Sequence, residues 1–370
     1  MRPETIETDR VRLRRYQETD IADLMAGCGD PLTRRFLPAL PDPYTEIDAR
    51  WWIADGSGAE WAAGGAAYAI ADPGSDRLLG GIGIGNVQRL RGQGEVGYWV
   101  APWARRQGVA TAAVTALVDR AFATGFTRLE LLTHLDNGPS QRVALAAGFQ
   151  REGVRRGAGP GRGGGRRDLL GWARLAGDPA GPTPRTLPDL PGGRLTDGVV
   201  VLRPLAAADT DFLFALQRLP EVVATSVPPL APERSAIAAK CAGAESSWLA
   251  GSRADLVILD AASGEPAGEI GLYYQEPPTG QAMIGYAMLP AWRGRGYPTR
   301  AARLLARWAF DATGIARLIA GTLPENTGSQ RVLEKAGFQR EGHLRGRLPG
   351  IAGTRVDDIL YALLPTDLPG

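Results

Sequence analysis

Residues 105–110, with the sequence RRQGVA, place two arginines and a glycine directly before an amphipathic stretch. That stretch has apolar residues at Val114, Leu117 and Val118, a spacing that predicts an α-helix. The first turn of a helix presents backbone N–H groups without intrahelical partners and the positive end of the helix dipole. A glycine there lets a phosphate approach the backbone, and arginine adds positive charge. The segment therefore indicates an anion site at a helix start.

The same segment occurs twice, because the chain contains a long internal repeat. Three stretches recur in order: 8–15 at 196–204, 94–111 at 282–299, and 136–153 at 325–342. The offset is 189 residues at both ends and 188 in the middle, so the two full-length copies differ by one short deletion. A stretch rich in Pro and Gly separates them and is typical of a linker. We predict a first domain at 1–176, a linker at 177–194 and a second domain at 195–370.

Each copy is predicted to be an α+β domain with an antiparallel sheet followed by one strand–helix–strand crossover. Alternation and glycine turns in the first copy predict strands at 9–15, 66–71, 78–87, 94–100 and 129–133. Helices are predicted at 20–28, at 46–54, after Gly108 and at 140–147, with a final hairpin at 149–175. The helix after Gly108 is expected to end at a C-cap glycine, Gly125, or Gly314 in the second copy.

Composition restricts the class of protein. At 44% apolar and 22% charged residues, the 370-residue chain is typical of a globular protein, and its net charge of +2 gives no reason to expect nucleic acid. No run of eighteen apolar residues occurs and the first residues lack an apolar signal core. We therefore expect a cytoplasmic protein without membrane contact. Two cysteines, Cys28 and Cys241, and two histidines, His134 and His343, are too few for a disulfide framework or a metal site.

The motifs together resemble the GNAT superfamily of N-acetyltransferases. The matching residues are R-x-x-G-x-A at 105–110 after a strand that ends GYWV, then N-x-x-S at 137–140 and A-G-F at 147–149. The segments TDRVRLRR and EVGYW are similar to the branch that acetylates the N-terminal alanine or serine of ribosomal proteins. The resemblance implies two tandem GNAT-type domains. Each would have a mixed, mostly antiparallel sheet and a splayed β–α–β acyl-CoA site flanked by helices.

The resemblance also implies acetyl-CoA, or another acyl-CoA, as co-substrate, with no metal. In that family the loop holds the pyrophosphate, and pantetheine lies where a bulged strand splays from the next strand. The residues implied in the first domain are Trp99, Val100, Arg105, Arg106, Gln107, Gly108, Val109, Ala110, Thr111 and Asn137. Those implied in the second domain are Met288, Arg293, Arg295, Gly296, Tyr297, Thr299, Asn326 and Ser329.

Transfer from a thioester to an amine needs a neutral amine, donors for the oxyanion and a proton for the leaving thiolate. An α-amine, with a pKa of about 7.7–8.0, loses its proton more easily than a lysine at about 10.4, which favours an N-terminal acceptor. By resemblance Glu95 is the candidate base, the alternative being a solvated carboxylate at a strand end. Ser140 is the candidate donor to the leaving sulfur and also suits a helix N-cap. Many relatives use a tyrosine just before A-G-F, which Leu145 and Leu333 exclude here.

The second copy lacks parts of this machinery. Met283 replaces Glu95 and cannot take up a proton, although Glu269 on the neighbouring strand is a candidate substitute. Pro298 suits a first helical turn but has no N–H for a phosphate. We therefore expect the first domain to be catalytic, and the second to bind CoA weakly or to serve mainly as structure.

The acceptor site is expected between the first helices and the final hairpin, with Phe36, Tyr44 and Trp52 as candidate contacts. The acceptor would be an amine-bearing small molecule, such as an antibiotic, or the N-terminus of a peptide or protein. Two alternatives stay open. One is a longer acyl-CoA or an acyl carrier protein as donor, which the arginines at 155–167 would suit, and the other is a non-catalytic CoA-binding scaffold. We expect a monomer whose domains pack as a pseudo-dimer, or a homodimer.

Overall fold

The computed structural model describes residues 1–161 and 164–368, so Arg162 of the predicted arginine loop lies outside the described residues. The chain divides into two units, Met1–Pro184 and Arg185–Gly370. Thr183 is hydrogen-bonded to Leu145 and Phe149 of the first unit, whereas Leu187 is buried in the core of the second. No helix among the described residues combines the length and the apolar character that a membrane crossing requires.

The first unit is built on one mixed sheet of eight strands. The strands are β1 Ile6–Glu7, β2 Arg12–Arg14, β3 Ala66–Ala71, β4 Leu78–Gln88, β5 Gln93–Val100, β6 Arg128–His134, β7 Gln150–Pro160 and β8 Arg166–Leu175. Their order is β1-β2-β3-β4-β5-β6-β8-β7, and the described neighbours are antiparallel except for β5 and β6. Every residue of the central strand β3 is buried, as expected for a strand covered by helices on both faces.

Helices cover both faces of this sheet. They are α1 Ile21–Gly29, α2 Pro31–Phe36, α3 Glu46–Trp51, α4 Ser57–Ala62, α5 Val109–Ala123 and α6 Gly138–Ala146, and a π-helical segment, Trp52–Gly56, joins α3 to α4. Helix α5 crosses from β5 to β6 and buries Val114, Leu117 and Val118, so the predicted crossover is confirmed. Two residues beyond the end of α5, Gly125 adopts φ +104°, as a helix-terminating glycine does.

Strands β5 and β6 pair over only three residues. Residues 93–95 lie opposite 128–130, and within the described pairing the ladder ends there. The rest of β5, up to Val100, separates from β6 and opens a V. Glu95 lies at the apex of this V, at the last paired position of β5 and β6.

A β-bulge lies beside the apex, but not on the strand where we expected it. Asn86 and Val87 of β4 are opposed by Gly94 alone, so the extra residue belongs to β4 and not to the splaying strand β5. Asn86 takes φ +49°, a conformation that asparagine tolerates better than most residues. The bulge turns Asn86 toward the side chain of Glu95.

The second unit repeats the plan with the same strand order. Its strands are β9 Leu195–Thr196, β10 Val200–Pro204, β11 Arg253–Asp260, β12 Pro266–Glu276, β13 Gln281–Met288, β14 Arg317–Thr322, β15 Gln339–Pro349 and β16 Arg355–Leu363. Its helices are α7 Thr210–Gln217, α8 Pro220–Ala224, α9 Arg234–Leu249, α10 Tyr297–Ala312 and α11 Thr327–Ala336. Strands β13 and β14 also pair in parallel over three residues and then splay. Helix α10 ends at Ala312, two residues before Gly314, but Thr313 is extended and Gly314 is not at positive φ, so the expected glycine cap is wrong.

Candidate active site

The loop between β5 and α5 leaves several backbone donors free at the mouth of the V. Gly108, with φ +77°, is the N-cap of α5, and its carbonyl accepts the first helical hydrogen bond from Ala112 at 3.0 Å. The amides of Val109, Ala110 and Thr111 therefore have no partner within the helix. They point out of a helix N-terminus that carries a partial positive charge. This geometry fits the phosphate groups of a CoA thioester.

Arg105 braces the loop and is not directed at this cradle. Its Nε donates to the carbonyl of Val100 at 3.2 Å, and its guanidinium contacts Thr33 at 2.9 Å and the carboxylate of Asp30. Burial alone would oppose ionisation of Asp30, but the hydrogen bonds from Arg105 and Thr33 lower its pKa. Arg105 therefore ties the loop to β5 and to the start of α2. A phosphate contact from its side chain stays a prediction.

Other cations do lie at the loop. Arg106 is exposed and adopts φ +61°, and Gln107 is exposed beside it. The Nη1 of Arg10 donates to the carbonyl of Gln107 at 3.0 Å, and its side chain lies about 3.5 Å from the position of a Cβ on Gly108. Sequence reasoning missed Arg10 as a residue of this loop, although it belongs to the TDRVRLRR segment that carried the resemblance.

The start of α6 brings a hydroxyl pair to the opposite arm of the V. Asn137 caps the helix by accepting from the Ser140 amide at 3.3 Å. The hydroxyl of Tyr98, on the splayed part of β5, lies 2.8 Å from Ser140 Oγ. Burial raises the pKa of Tyr98 above its usual value, so the phenol stays protonated at neutral pH. The tyrosine before A-G-F is absent as predicted, but Tyr98, from another element, reaches the site that Ser140 occupies.

A cavity of about 280 Å³ opens on the face of β4 and β5 that α1–α4 cover. We call it the acceptor cavity. Its walls include the aromatic residues Tyr16, Trp52 and Trp99, and its charged residues are Glu60 and Glu95. Asn86 Nδ2 donates to Glu95 Oε2 at 3.0 Å, which orients the carboxylate at the apex of the V.

Glu95 also borders a second, polar cavity of about 450 Å³, which Glu130 and Arg155 line as well. Glu130 is the direct neighbour of Glu95 across the β5–β6 ladder. Arg155 contacts Glu130 at 2.6 and 3.1 Å, and Arg128 contacts it at 2.7 Å. The hydrogen bond from Arg155 is the main reason why the pKa of Glu130 is lowered. The charge of Glu130 is therefore balanced by two arginines. The Glu95 carboxylate, among the described residues, is hydrogen-bonded only to the side-chain amide of Asn86.

The three predicted acceptor contacts are in different places. Trp52 lines the acceptor cavity, and the π-helical segment that begins with it directs it there. Phe36 packs edge-on against His134 at the open end of β6, with 5.4 Å between ring centroids. Burial lowers the pKa of His134, so the ring is neutral at pH 7. Tyr44 packs in an apolar cluster with Leu24 and other residues of α1.

The second unit keeps the amide cradle, the arginine brace and the hydroxyl pair of the first unit. Gly296 adopts φ +80° and accepts from the Arg300 amide at 3.1 Å, so the cradle has the same shape as in the first unit. Pro298, the second residue of α10, removes one amide and leaves those of Tyr297 and Thr299. The hydroxyl of Tyr297 bonds to Asp260 at 2.5 Å.

The remaining contacts of this set are also repeated. Arg293 donates to the carbonyl of Met288 at 2.9 and 3.1 Å, matching the brace that Arg105 provides. Asn326 caps α11 by accepting from the Ser329 amide at 3.1 Å, and Tyr286 lies 2.8 Å from Ser329 Oγ. Burial raises the pKa of Tyr286 to about 12. Arg295 differs from its counterpart Gln107, because its guanidinium lies over the ring of Trp292 at 5.1 Å.

The charged residues around Glu95 have no counterparts in the second unit. Strand register and matching hydrogen bonds identify the equivalent positions. Glu60, Asn86, Glu95, Glu130 and Arg155 correspond to Ser247, Tyr274, Met283, Ile319 and Leu344, respectively. All four charged residues and the asparagine that orients Glu95 are replaced together. The second unit therefore has the amide cradle without these charged residues.

Side chains of an ion cluster occupy the corresponding space. Glu269 and Asp255 stand where the first unit has Gly81 and Ala67. Lys240 Nζ lies 2.8 Å from Glu269 Oε2 and 3.8 Å from Asp255 Oδ1, and Gln217 also contacts Glu269. Glu269 is therefore paired away from the strand apex, and the idea that it substitutes for Glu95 as a base is wrong.

Comparisons with known proteins agree with this architecture. The profile of the Acetyltransferase (GNAT) domain family matches residues 10–150 and 200–339. The chain therefore belongs to this family, and it contains the domain twice.

Individual relatives match shorter stretches. The "Probable N-acetyltransferase YjcK" of Bacillus subtilis is 43% identical over 86 residues, 23% of this chain and 47% of the relative. The "Ribosomal-protein-serine acetyltransferase" of Escherichia coli is 33% identical over 79 residues, 21% of this chain and 44% of the relative. The chain thus spans about half the length of these curated relatives. The structure of Mycobacterium smegmatis RimJ in complex with CoA-disulfide is 26% identical, covering 48% of this chain and 87% of that one, with a TM-score of 0.42.

Proposed function

We propose that the first domain transfers an acetyl group from acetyl-CoA to a primary amine by direct attack of the amine on the thioester. One observation carries the proposal. The V between β5 and β6 has a phosphate-sized cradle of free amides at its mouth and an amide-oriented carboxylate, Glu95, at its apex. A thioester held between the two would meet a base on one side and an acceptor cavity next to it. Acetyl-CoA, when bound, supplies an acyl group activated by a thiolate leaving group.

The donor contacts follow from the backbone. The amides of Val109, Ala110 and Thr111 would bind the pyrophosphate, with Arg10 and Arg106 as neighbouring cations. Residues of β5 beyond Glu95 have left the ladder with β6, so their backbone groups on that side are available to the pantetheine amides. Asn137 uses its oxygen to cap α6, which leaves its NH₂ group as a donor for the same arm.

Glu95 would act as the general base. An amine must lose its proton before it can attack, because an ammonium has no lone pair. The carboxylate lines the acceptor cavity, is oriented by Asn86, and can take the proton directly or through one water. Glu130 is unsuited to this role, since Arg128 and Arg155 already neutralise it.

Ser140 would serve the leaving group. Its hydroxyl can donate to the thiolate sulfur while accepting from Tyr98, whose raised pKa keeps it a donor. Because the two hydroxyls are hydrogen-bonded to each other, a proton lies close to the sulfur without a charged acid. The pair therefore replaces the tyrosine that Leu145 displaces.

The relatives named as ribosomal-protein acetyltransferases support an N-terminal peptide or protein amine as one class of acceptor. An α-amine needs less help from a base than a lysine amine does. The proposal places catalysis in the first domain, because the second has Met283 at the apex of its V and a cluster of ions in place of the cavity.

Glu95→Gln tests the proposal. The amide keeps the shape and the contact with Asn86 but cannot accept a proton, so turnover at neutral pH should fall by about 100-fold or more. The dissociation constant for acetyl-CoA, measured by calorimetry, should stay the same. Turnover is read as thiol released from acetyl-CoA with a panel of primary amines.

Met283→Gln is the matched control at the same position of the second domain and should leave turnover unchanged. Turnover that is equal for wild type and Glu95→Gln at every pH would remove the base assignment. Wild-type protein that releases no thiol with any amine, while it binds acetyl-CoA, would refute the transferase itself.

A further inference from the structure

Glu60, on α4, is a second carboxylate of the acceptor cavity that the proposed chemistry does not use. Its Oε2 lies 3.6 Å from the position of a Cβ on Gly85. Gly85 is the direct partner of Glu95 in the β4–β5 ladder. Directly paired residues of antiparallel strands point to the same face, with Cβ atoms about 4.5–5.5 Å apart. The carboxylates of Glu60 and Glu95 therefore face the same space.

The charge of this space is unbalanced. Among the residues that line the acceptor cavity, within 1–161 and 164–368, the acidic side chains are Glu60 and Glu95, and no Lys, Arg or His is present. In the same part of the chain, Glu60 forms no ion pair. Glu130 and Glu152, by contrast, share Arg128 and Arg155. Two uncompensated carboxylates in a recess favour ligands that bring positive charge.

The aromatic lining points to the same class of ligand. The rings of Tyr16 and Trp52 meet edge-on with 6.0 Å between centroids, and Trp99 lies beside them. Faces of tyrosine and tryptophan attract ammonium and guanidinium groups, more strongly when water is excluded. Tyr16 lies next to the position of a Cβ on Gly81, whose lack of a side chain keeps the recess open.

The second unit provides an internal comparison. Tyr273 occupies the position equivalent to Gly85, the residue over which Glu60 lies. Ser247 occupies the position equivalent to Glu60. The second unit thus lacks the carboxylate, the open glycine and the base together. This joint difference supports a shared role of Glu60 and Glu95 on the acceptor side.

We infer that the acceptor is a primary amine that carries a second positive charge, and that Glu60 binds this second cation. The inference rests on the proposed function for its reacting amine. Glu95 takes the proton of the attacking amine, so it is neutralised during the reaction and cannot hold another cation. Glu60 takes no part in this proton transfer, and its ion pair with the second cation, beside the aromatic wall, places the first amine at the apex of the V. Diamines and peptides with a basic residue after the N-terminal one share this chemistry.

Calorimetric titration of the whole chain with CoA bound tests the inference without turnover. One arm compares 1,4-diaminobutane with butylamine, and the other compares Ala-Lys amide with Ala-norleucine amide. In at least one arm the ligand with two positive charges should bind at least about tenfold more tightly than its partner with one. A hydrogen bond to a charged group contributes about this much. The arm with the larger ratio identifies the source, a free diamine or a peptide.

Glu60→Gln should abolish this preference and leave the affinity for the single-charge partner unchanged. Asp55→Asn, at an exposed carboxylate of the same helical region, is the matched control and should keep the preference. Equal affinities within both pairs, or a preference that survives Glu60→Gln, would overturn the inference. If the dications are preferred but acetyl-CoA gives no transfer to any amine, the inference stands and the proposed function fails.

Discussion

The proposed contribution of Tyr98 to catalysis depends on one contact, the 2.8 Å hydrogen bond between its hydroxyl and that of Ser140. Tyr98→Phe keeps the ring and removes the hydroxyl. Ser140 then loses the hydroxyl partner that, under the proposed function, orients it toward the leaving sulfur, and we expect kcat to fall by about three- to tenfold, the range for one net hydrogen bond. The KM for acetyl-CoA should not change, because the amide cradle is untouched. Steady-state kinetics with acetyl-CoA separate the two parameters.

The second unit supplies the matched control for this prediction. Tyr286 makes the same 2.8 Å contact with Ser329, in a unit without an apex base. Tyr286→Phe should therefore leave kcat unchanged. If both variants lose activity equally, or if Tyr98→Phe raises KM with kcat intact, the hydroxyl pair has a structural role only.

Individual residues differed in how far the sequence could predict them. Glu95 and Ser140 lie inside motifs, and the structure brings both to the V, although their catalytic roles stay predictions. Glu60 was missed, and Arg155 was predicted only as part of the 155–167 loop and not as a partner of Glu130, because these residues come from elements distant in sequence that meet only in the folded sheet. The repeat contained a usable signal, since each of these positions is charged in the first copy and uncharged in the second.

At the level of elements, helix α3, the π-helical segment Trp52–Gly56 and helix α4 together shape the acceptor cavity. A Cβ on the buried Gly56 would lie 2.6 Å from the Trp52 ring and 3.0 Å from Trp51. Gly56→Ala should therefore push Trp52 into the cavity and raise the KM for the acceptor, with the Kd for acetyl-CoA unchanged. Kinetics and calorimetry together check this prediction.

Gly58→Ala is the control, because a Cβ there meets nothing within 4 Å. Alanine at this exposed helical position should stabilise the chain by about 0.5–1 kcal/mol, measured by denaturant unfolding, and should not alter KM. A similar rise of KM in both variants would show that helix stability, and not the position of Trp52, controls acceptor binding.

Element prediction succeeded where periodicity was strong. Strands β3, β4 and β5 and helix α5 were predicted within about a residue, since alternation and 3.6-residue spacing are unambiguous there. Helix α2 and the extension through Gly56 to Ala62 were missed. The sequence between 52 and 65 is rich in Gly and Ala, whose weak pattern gives no helical face, and a π-helical segment breaks the period within it.

At the scale of the whole molecule, the two units share one part of the site and differ in the other. Both retain a cradle with glycine at positive φ, a splayed strand pair and a Tyr–Ser contact. Only the first retains, among the described residues, the carboxylates of the acceptor side. Under the proposed function, this distribution predicts that both units bind the thioester and that only the first uses it.

Titration of the chain with acetyl-CoA should therefore reveal two sites of unequal affinity. The second cradle lacks the amide that Pro298 replaces, and loss of one hydrogen bond to a charged group weakens binding by about 10- to 100-fold. Gly108→Val should abolish the tight site and Gly296→Val the weak one, because a β-branched residue cannot adopt φ near +80° without strain. Thiol release should disappear only with Gly108→Val. A single site lost on Gly108→Val would mean that Pro298 is enough to close the second cradle, and loss of turnover on Gly296→Val would place part of the chemistry in the second unit.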